Sequence, residues 1–421
     1  MLATDLYLHN APIIYARFCA QIDAAIWCNR VRSLENSIRR NSILREHLFR
    51  EHEITFALAR LDLLAGNHGT VPIPLVTRAE FSALAFAAQI ISLIDYVTPA
   101  EAEQLRGRVR GALANSDEMR GLRLEMTAIT HFIRRGNRVE LPSAGQERIY
   151  DFLVSDICNG GLEVECKSMS RDKGRKIHDE EAIEFYGLIK PMLDPVLSGL
   201  RHGLSAVLTL PGRLPTTNSN LILLAKDVAR ALYGGVDCTL QCGATLRLLD
   251  FMPNTAGADF DDKVRMRRMI DSVSGTENRQ SLVLGSNAGA VLALTVQSAR
   301  DDSVIKAMFD TMSDAARYQL SRERAGMLFV SLDGIGNAAL VGIGNDEKTP
   351  GMAPTLLRVA ADRFLRSPDR SHVVNVAFVS RNVITPAVNH THSSGGSTYS
   401  FANRISKFWT EDFSGIFREA G

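Results

Sequence analysis

At 421 residues, 45% of them hydrophobic and 23% charged, the chain is globular in composition and too long for one ordinary core, which predicts two or three domains. A formal net charge of +1 excludes a global electrostatic signal for nucleic acid, so any such binding has to rest on a local basic patch. Six cysteines without a CxxC pair exclude a disulfide scaffold and predict free thiols in a reducing cytosol.

Residues 11–65 carry a helical pattern rich in Ala, Leu, Ile and Arg, interrupted by Gly66-Asn-His-Gly69 and Pro72-Ile-Pro74. Thr77-Arg-Ala-Glu80 and Thr98-Pro-Ala-Glu101 both match a capping box, in which the Thr hydroxyl and the Glu carboxylate satisfy orphan N–H groups of the first turn. Between them the longest apolar stretch, residues 82–94, falls short of the roughly 20 residues of a membrane span and predicts a buried helix. With no basic and apolar leader at the N-terminus, the expectation is a cytoplasmic protein without a membrane partner. The first 115 residues are expected to form a helical domain.

A further helix is predicted from Ser116 to Arg135, ending with Gly136 as a left-handed cap. Period-two patterning then predicts strands over 138–141, 148–154 and 162–168, separated by turn signals at Pro142-Ser-Ala-Gly145 and Asn159-Gly-Gly161. A polar, basic loop, a helix over 179–192 and a strand over 205–210 complete the order helix, three strands, helix, strand, assigned to a domain over 116–215. Residues 216–421 alternate strands (245–251, 282–284, 291–296, 327–332, 373–379) with helices (303–320, 354–365), which predicts a second α/β domain. The segment 389–400, with Ser393-Ser-Gly-Gly-Ser397, reads as a flexible loop.

The chemistry concentrates in the middle of the chain. Along Leu162-Glu-Val-Glu-Cys-Lys167, strand alternation puts Leu162, Val164 and Cys166 on one face and Glu163, Glu165 and Lys167 on the other. Charges held inside a sheet cost free energy unless they are paired or bind metal. Asp151 lies in the preceding strand, and a hairpin would bring its carboxylate beside Glu165. Glu125 has Leu122, Met126, Ile129 and Phe132 as helical neighbours, so it points from the face that should bury against the sheet. Converging carboxylates with a nearby lysine offer oxygen ligands for magnesium and a cation to orient water, the needs of phosphodiester hydrolysis.

This arrangement resembles the PD-(D/E)xK, or restriction-endonuclease-like, superfamily over residues 116–211: a helix bearing Glu125, a hairpin strand bearing Asp151, then Glu165-x-Lys167 on the next strand. Tyr150 stands where the superfamily's name would place proline. The resemblance implies an α/β fold with a restriction-endonuclease-like core. It implies that Asp151, Glu165 and the Cys166 carbonyl bind Mg2+ or Mn2+, that Glu125 completes the metal site or holds a second ion, and that Lys167 positions the water. It also implies a nuclease acting on nucleic acid, DNA before RNA, in a bacterial restriction or phage-defence setting; the flanking helical and C-terminal domains are expected to supply substrate choice, homodimerisation or control by a protein regulator. The rival expectation is a catalytically silent nucleic-acid-binding or scaffold protein that keeps the fold.

Two basic clusters are the candidate phosphate contacts: Arg171, Lys173, Arg175 and Lys176 after the Glu-x-Lys strand, and Arg134, Arg135 and Arg138 at the end of the Glu125 helix. Weaker features are read blandly. Cys238 and Cys242 are expected as buried thiols, His390 and His392 as loop residues, and Gly285–Gly289 and Gly334–Gly336 as turns. The order strand, loop, helix, strand over 293–332 echoes the nuclease segment, with Thr295 and Gln297 in the Glu-x-Lys places, and suggests that 216–421 is a degenerate second copy.

Overall fold

Past the two-residue strand Leu6–Tyr7 (β1), the chain up to residue 114 is helical: Ala11–Gln21 (α1), Ala25–Arg40 (α2), Leu44–Glu51 (α3), Glu53–His68 (α4), Arg78–Tyr96 (α5) and Pro99–Ala114 (α6). Both capping boxes form. Thr77 N–H donates to Glu80 at 2.8 Å and Thr98 N–H to Glu101 at 2.9 Å, fixing the starts of α5 and α6. Helix α5 is long and apolar enough to cross a membrane, yet 67% of its apolar window is buried, as in a core helix. This computed structural model describes residues 6–142, 150–251, 268, 272, 279–285, 289–333, 337–346, 353–380, 383–386, 391–395 and 398–417.

Helix α7 (Ser116–Arg134) ends as its sequence predicts, with Gly136 at φ +85°. It leads into Val139–Glu140 (β2), Phe152–Val154 (β3) and Leu162–Met169 (β4), an antiparallel meander. After β4 come Asp179–Ile189 (α8), Asp194–Gly199 (α9), Gly203–Leu210 (β5), Asn218–Gly234 (α10), Cys238–Thr239 (β6), Thr245–Phe251 (β7), Arg279–Gly285 (β8) and Val291–Ser298 (β9). Val304–Tyr318 (α11), Ala325–Leu332 (β10), Asn337–Asp346 (α12), Leu356–Leu365 (α13), Val373–Val379 (β11), Val383–Pro386 (β12), Thr391–Gly395 (β13) and Thr398–Ala402 (β14) follow. The protein is thus mixed α/β, with a helical N-terminal region and two mixed sheets.

One sheet has the order β14-β11-β10-β4-β3-β2, the other β6-β7-β5-β9-β8, and a small third sheet is β1-β13-β12. The chain divides into two compact units: residues 1–34, 49–173 and 305–421 form the first, and residues 35–48 and 174–304 the second. The three consecutive domains expected over 1–115, 116–215 and 216–421 do not coincide with these units. The parallel partner of β4 is β10, more than 150 residues later, in a continuous register from Leu162↔Ala325 to Met169↔Leu332. Strand β5, expected in the same domain as β4, sits in the other sheet, parallel to β9. Local patterning specifies that a strand exists and which faces it has, but an apolar run such as β5 fits either sheet.

The same finding removes the degenerate second copy. Strand β9 belongs to the five-stranded sheet and β10 to the six-stranded one, so the echo over 293–332 does not form one core. The segment expected as a loop, 389–400, instead contributes β13, paired with β1 and β12, and β14, paired with β11. Residues 143–149, 286–288, 334–336, 387–390 and 396–397, with the turns at 142–145, 285–289 and 334–336 and with His390, fall wholly or partly outside the described residues.

In the first unit, the six-stranded sheet has a core on each face. Leu162, Val164 and Cys166 join the cluster built on α1, α4, α5 and α7, including Phe132 and Phe152. Met169, Leu328 and Val330 join the cluster with Met308 and Met312 of α11. Alternation therefore turns Glu163, Glu165 and Lys167 toward the α11 face, as the sequence predicts. In the second unit, the outgoing and returning segments are pinned together. Ser303 N–H donates to the Gly174 carbonyl at 2.8 Å and Lys176 N–H to Asp302 at 2.8 Å. Gly174 has φ +76°, and a Cβ there would lie 2.7 Å from the Ser303 oxygen, so both conformation and space require glycine.

Candidate functional site

The site is built where β3 stops pairing with β4. The last register pair is Phe152↔Val164, and Asp151 N–H still reaches the Val164 carbonyl at 3.1 Å. Two residues further along β4, the Asp151 carboxylate replaces the missing strand and accepts the Cys166 N–H at 2.7 Å. The Cys166 carbonyl projects from the strand on the same side as its N–H and so faces Asp151. A short side chain at the end of a short strand thus places a carboxylate against the backbone between Glu165 and Lys167.

Glu165 is 3% exposed and its carboxylate is paired with the Lys167 ammonium. Burial, and then the Asp151 charge, push its pKa up to about 8, against the opposing pull of Lys167; Glu125 adds a smaller push in the same direction. Burial, with Asp151, Glu125 and Glu165 around it, also holds the Cys166 thiol well above its usual range, which makes it a poor nucleophile. The field of Asp151, Glu165, Glu125 and Lys167 is therefore shared. The strand order accounts for this: Glu165 and Lys167 are turned to the α11 face, Cys166 to the α7 face, and Asp151 stands at the open strand edge where both are within reach.

Glu125 is buried on α7 among Leu122, Met126 and Ile129, as its spacing predicts. Its charge has a partner that the sequence reading missed. Arg108 on α6 donates from one Nη2 to both carboxylate oxygens, at 2.5 and 2.6 Å. Burial opposes the Arg108 cation, but Glu125, with Asp151 and Cys166 behind it, raises its pKa overall. The signal was available, because Arg108 lies at i+3 from Leu105 and i−4 from Ala112, two buried residues on the inward stripe of α6. The spacing argument that singles out Glu125 singles out Arg108 as well.

Glu163, on the same face as Glu165, has a separate job. At 1% exposure it accepts the Ser321 N–H at 2.8 Å and the Ser321 hydroxyl at 2.6 Å, and pairs with Arg324 at 3.4 Å. It ties down the turn between α11 and β10.

The two basic clusters are placed differently. Arg134, Arg135 and Arg138 lie at the start of the meander, at the level of Leu162, which is roughly 17 Å along the strand from Lys167. Arg135 donates to the Gly415 carbonyl at 2.7 Å and Arg138 pairs with Glu140 at 3.3 Å. This cluster does not flank the carboxylates. Arg171 and Lys173 follow β4 directly in the first unit, half-buried, while Arg175 and Lys176 belong to the second. A cavity of about 80 Å³ lies on the α7 side at the C-terminal ends of β4, β10 and β11, lined by Arg120, Arg123, Thr127, Ser168, Ser331 and Asp333 among others. None of the four acid and lysine candidates lines it.

As a donor set, Asp151, Glu165 and Glu125 are hard oxygen ligands of the kind magnesium takes, and their mutual repulsion is what a divalent cation relieves. Among the described residues, no group of three His, Cys, Asp or Glu side chains is already gathered in coordinating geometry. Two cations of the protein, Arg108 and Lys167, sit on two of the three carboxylates instead. No family model matches the sequence, and no curated protein and no solved structure is similar to the chain.

Proposed function

We propose that the first unit carries a metal-dependent nuclease site of the PD-(D/E)xK type, which hydrolyses phosphodiester bonds in nucleic acid, DNA before RNA. The observation that carries this reading is the Asp151 carboxylate seated on the Cys166 N–H beside Glu165, whose pKa burial and then the Asp151 charge raise to about 8, with Lys167 on the same strand face. The order of elements supports it: α7, the meander β2-β3-β4, then α11 and β10, with β10 parallel to β4, fits the order helix, three strands, helix, strand of that superfamily, with residues 174–304 of the second unit intervening after β4. Asp151, Glu165 and the Cys166 carbonyl would hold Mg2+ or Mn2+, with Glu125 completing the set. A bound divalent cation supplies charge stabilisation at the phosphate and a water of lowered pKa. Asp151 fixes the backbone at Cys166; with the cation bound, Glu165 would serve as an ionised ligand, and Lys167, released from Glu165, would orient the attacking water or stabilise the developing charge. A restriction or phage-defence setting follows from the resemblance alone, and homodimerisation or control by a protein regulator would fall to the regions that flank the site.

A second reading rests on the ion pairs. Arg108 neutralises Glu125, and Glu165 is neutralised by the proton it holds up to about pH 8, with Lys167 against it, so no bound ion is required, as a catalytically silent nucleic-acid-binding or scaffold protein would need. A cleavage assay decides between the two, on linear, supercoiled and single-stranded DNA and on RNA, with Mg2+ or Mn2+. The nuclease reading expects cleavage by the wild type and losses of about a hundredfold or more for Asp151→Ala and Lys167→Ala. Cleavage unaffected by both substitutions removes the site assignment, and a wild type inert on every substrate favours the silent protein.

A further inference from the structure

The Arg108–Glu125 pair is unusual in where its cation comes from. Arg108 belongs to α6, outside the helix, meander and strand that frame the carboxylates, and reaches Glu125 across the tight α6–α7 hairpin, whose two helices are joined through Asn115 alone. Its guanidinium occupies both oxygens of Glu125 from a single nitrogen. A carboxylate engaged in this way keeps a second lone pair on each oxygen, but an approaching divalent cation meets the positive charge of the guanidinium already seated there.

We propose that Arg108 is an electrostatic latch on Glu125, a positioning residue that holds the third carboxylate away from a divalent cation until the latch is released. This rests on the metal-dependent reading of the same site. Arginine keeps its charge at every relevant pH, so the latch is not opened by titration; it opens by competition from a cation or from a phosphate that pairs with the guanidinium. A nucleic-acid phosphate arriving at the site provides that exchange: Arg108 turns from Glu125 to the phosphate, and Glu125 becomes available to the metal as substrate binds. The device limits metal occupancy in the absence of substrate.

The test measures Mn2+ binding to the full-length protein by calorimetry, independently of cleavage, for the wild type, Arg108→Gln, Arg108→Lys and the site control Asp151→Asn. The latch predicts Mn2+ binding about tenfold tighter in Arg108→Gln, with Arg108→Lys between it and the wild type, because a lysine pairs with a single point charge. Asp151→Asn is expected to abolish the binding heat. If Arg108→Gln does not fold, with Glu125 left buried and unpaired, Arg108→Lys alone decides. Equal affinities in the wild type and the Arg108 variants, with Asp151→Asn silent, overturn the latch and leave the metal site standing. Weaker binding in the Arg108 variants also overturns it, and makes Arg108 an organiser of Glu125. Absence of Mn2+ binding in every variant overturns both the latch and the metal-dependent reading.

Discussion

Replacing Glu165 by glutamine tests the electrostatics of the site through stability alone. In the folded protein the carboxyl holds its proton up to about pH 8, whereas an ordinary glutamate loses it near 4.5. The folded state therefore binds one more proton than the unfolded chain across that interval, and the wild type loses stability as pH rises from 4.5 to 8, by up to about 1.4 kcal/mol per pH unit. Over the whole interval the ceiling is about 5 kcal/mol; local relaxation and water entry should bring the realised change to roughly 2–3 kcal/mol. Glutamine at 165 cannot ionise, so Glu165→Gln gains on the wild type by that amount between pH 5 and pH 9. The measurement is urea unfolding with a chelator present, followed by tryptophan fluorescence. Both tryptophans, Trp27 and Trp409, lie in the first unit, so the signal reports that unit alone. Parallel stability profiles for the two proteins from pH 5 to 9 would refute the claim that Asp151 and burial hold the proton on Glu165.

Glu163→Ala should cost about 2–4 kcal/mol in the same fluorescence-monitored unfolding, because Ser321 and Arg324 lose a buried acceptor. At a temperature where the variant is folded, its divalent-metal binding should match the wild type, in contrast to Asp151→Asn. Gly174→Ala should destabilise the second unit by about 2 kcal/mol or more, since alanine is strained at positive φ and its Cβ meets the Ser303 backbone. Hydrogen exchange should show the β5 and β9 amides losing protection while the tryptophan transition stays where it was.

What the sequence discloses here follows the range of each signal. Capping boxes at Thr77 and Thr98, the end of α7 at Gly136 and the faces of β4 are written in residues a few positions apart, and the structure agrees with each. The Asp151–Cys166 bond was within reach for the same reason, a hairpin of short loop. The β4–β10 pairing was not, because β5 offers an equally apolar strand much sooner in the chain, and nothing local says which one closes the sheet. Arg108 marks a different limit. Its helical spacing is as anomalous as that of Glu125, but an inward arginine acquires meaning only when the helix opposite is known. Glu163, which the strand alone places beside Glu165 and Lys167, turns out to serve a turn whose residues come from position 321 onward.

The distant pairing of β4 also sets a schedule for biosynthesis. Strand β4 leaves the ribosome complete on its β3 side, but its other edge waits for β10, more than 150 residues behind. At roughly 5–20 residues per second, that is on the order of ten seconds or more with the edge of a future central strand uncovered. Residues 174–304, almost all of the second unit, are made during this interval and can close their own five-stranded sheet before β10 appears. The nascent chain thus carries Glu165 and Lys167 on an open strand while a neighbouring sheet is already forming, a window in which a chaperone, or pairing with another nascent copy, would compete for the β4 edge.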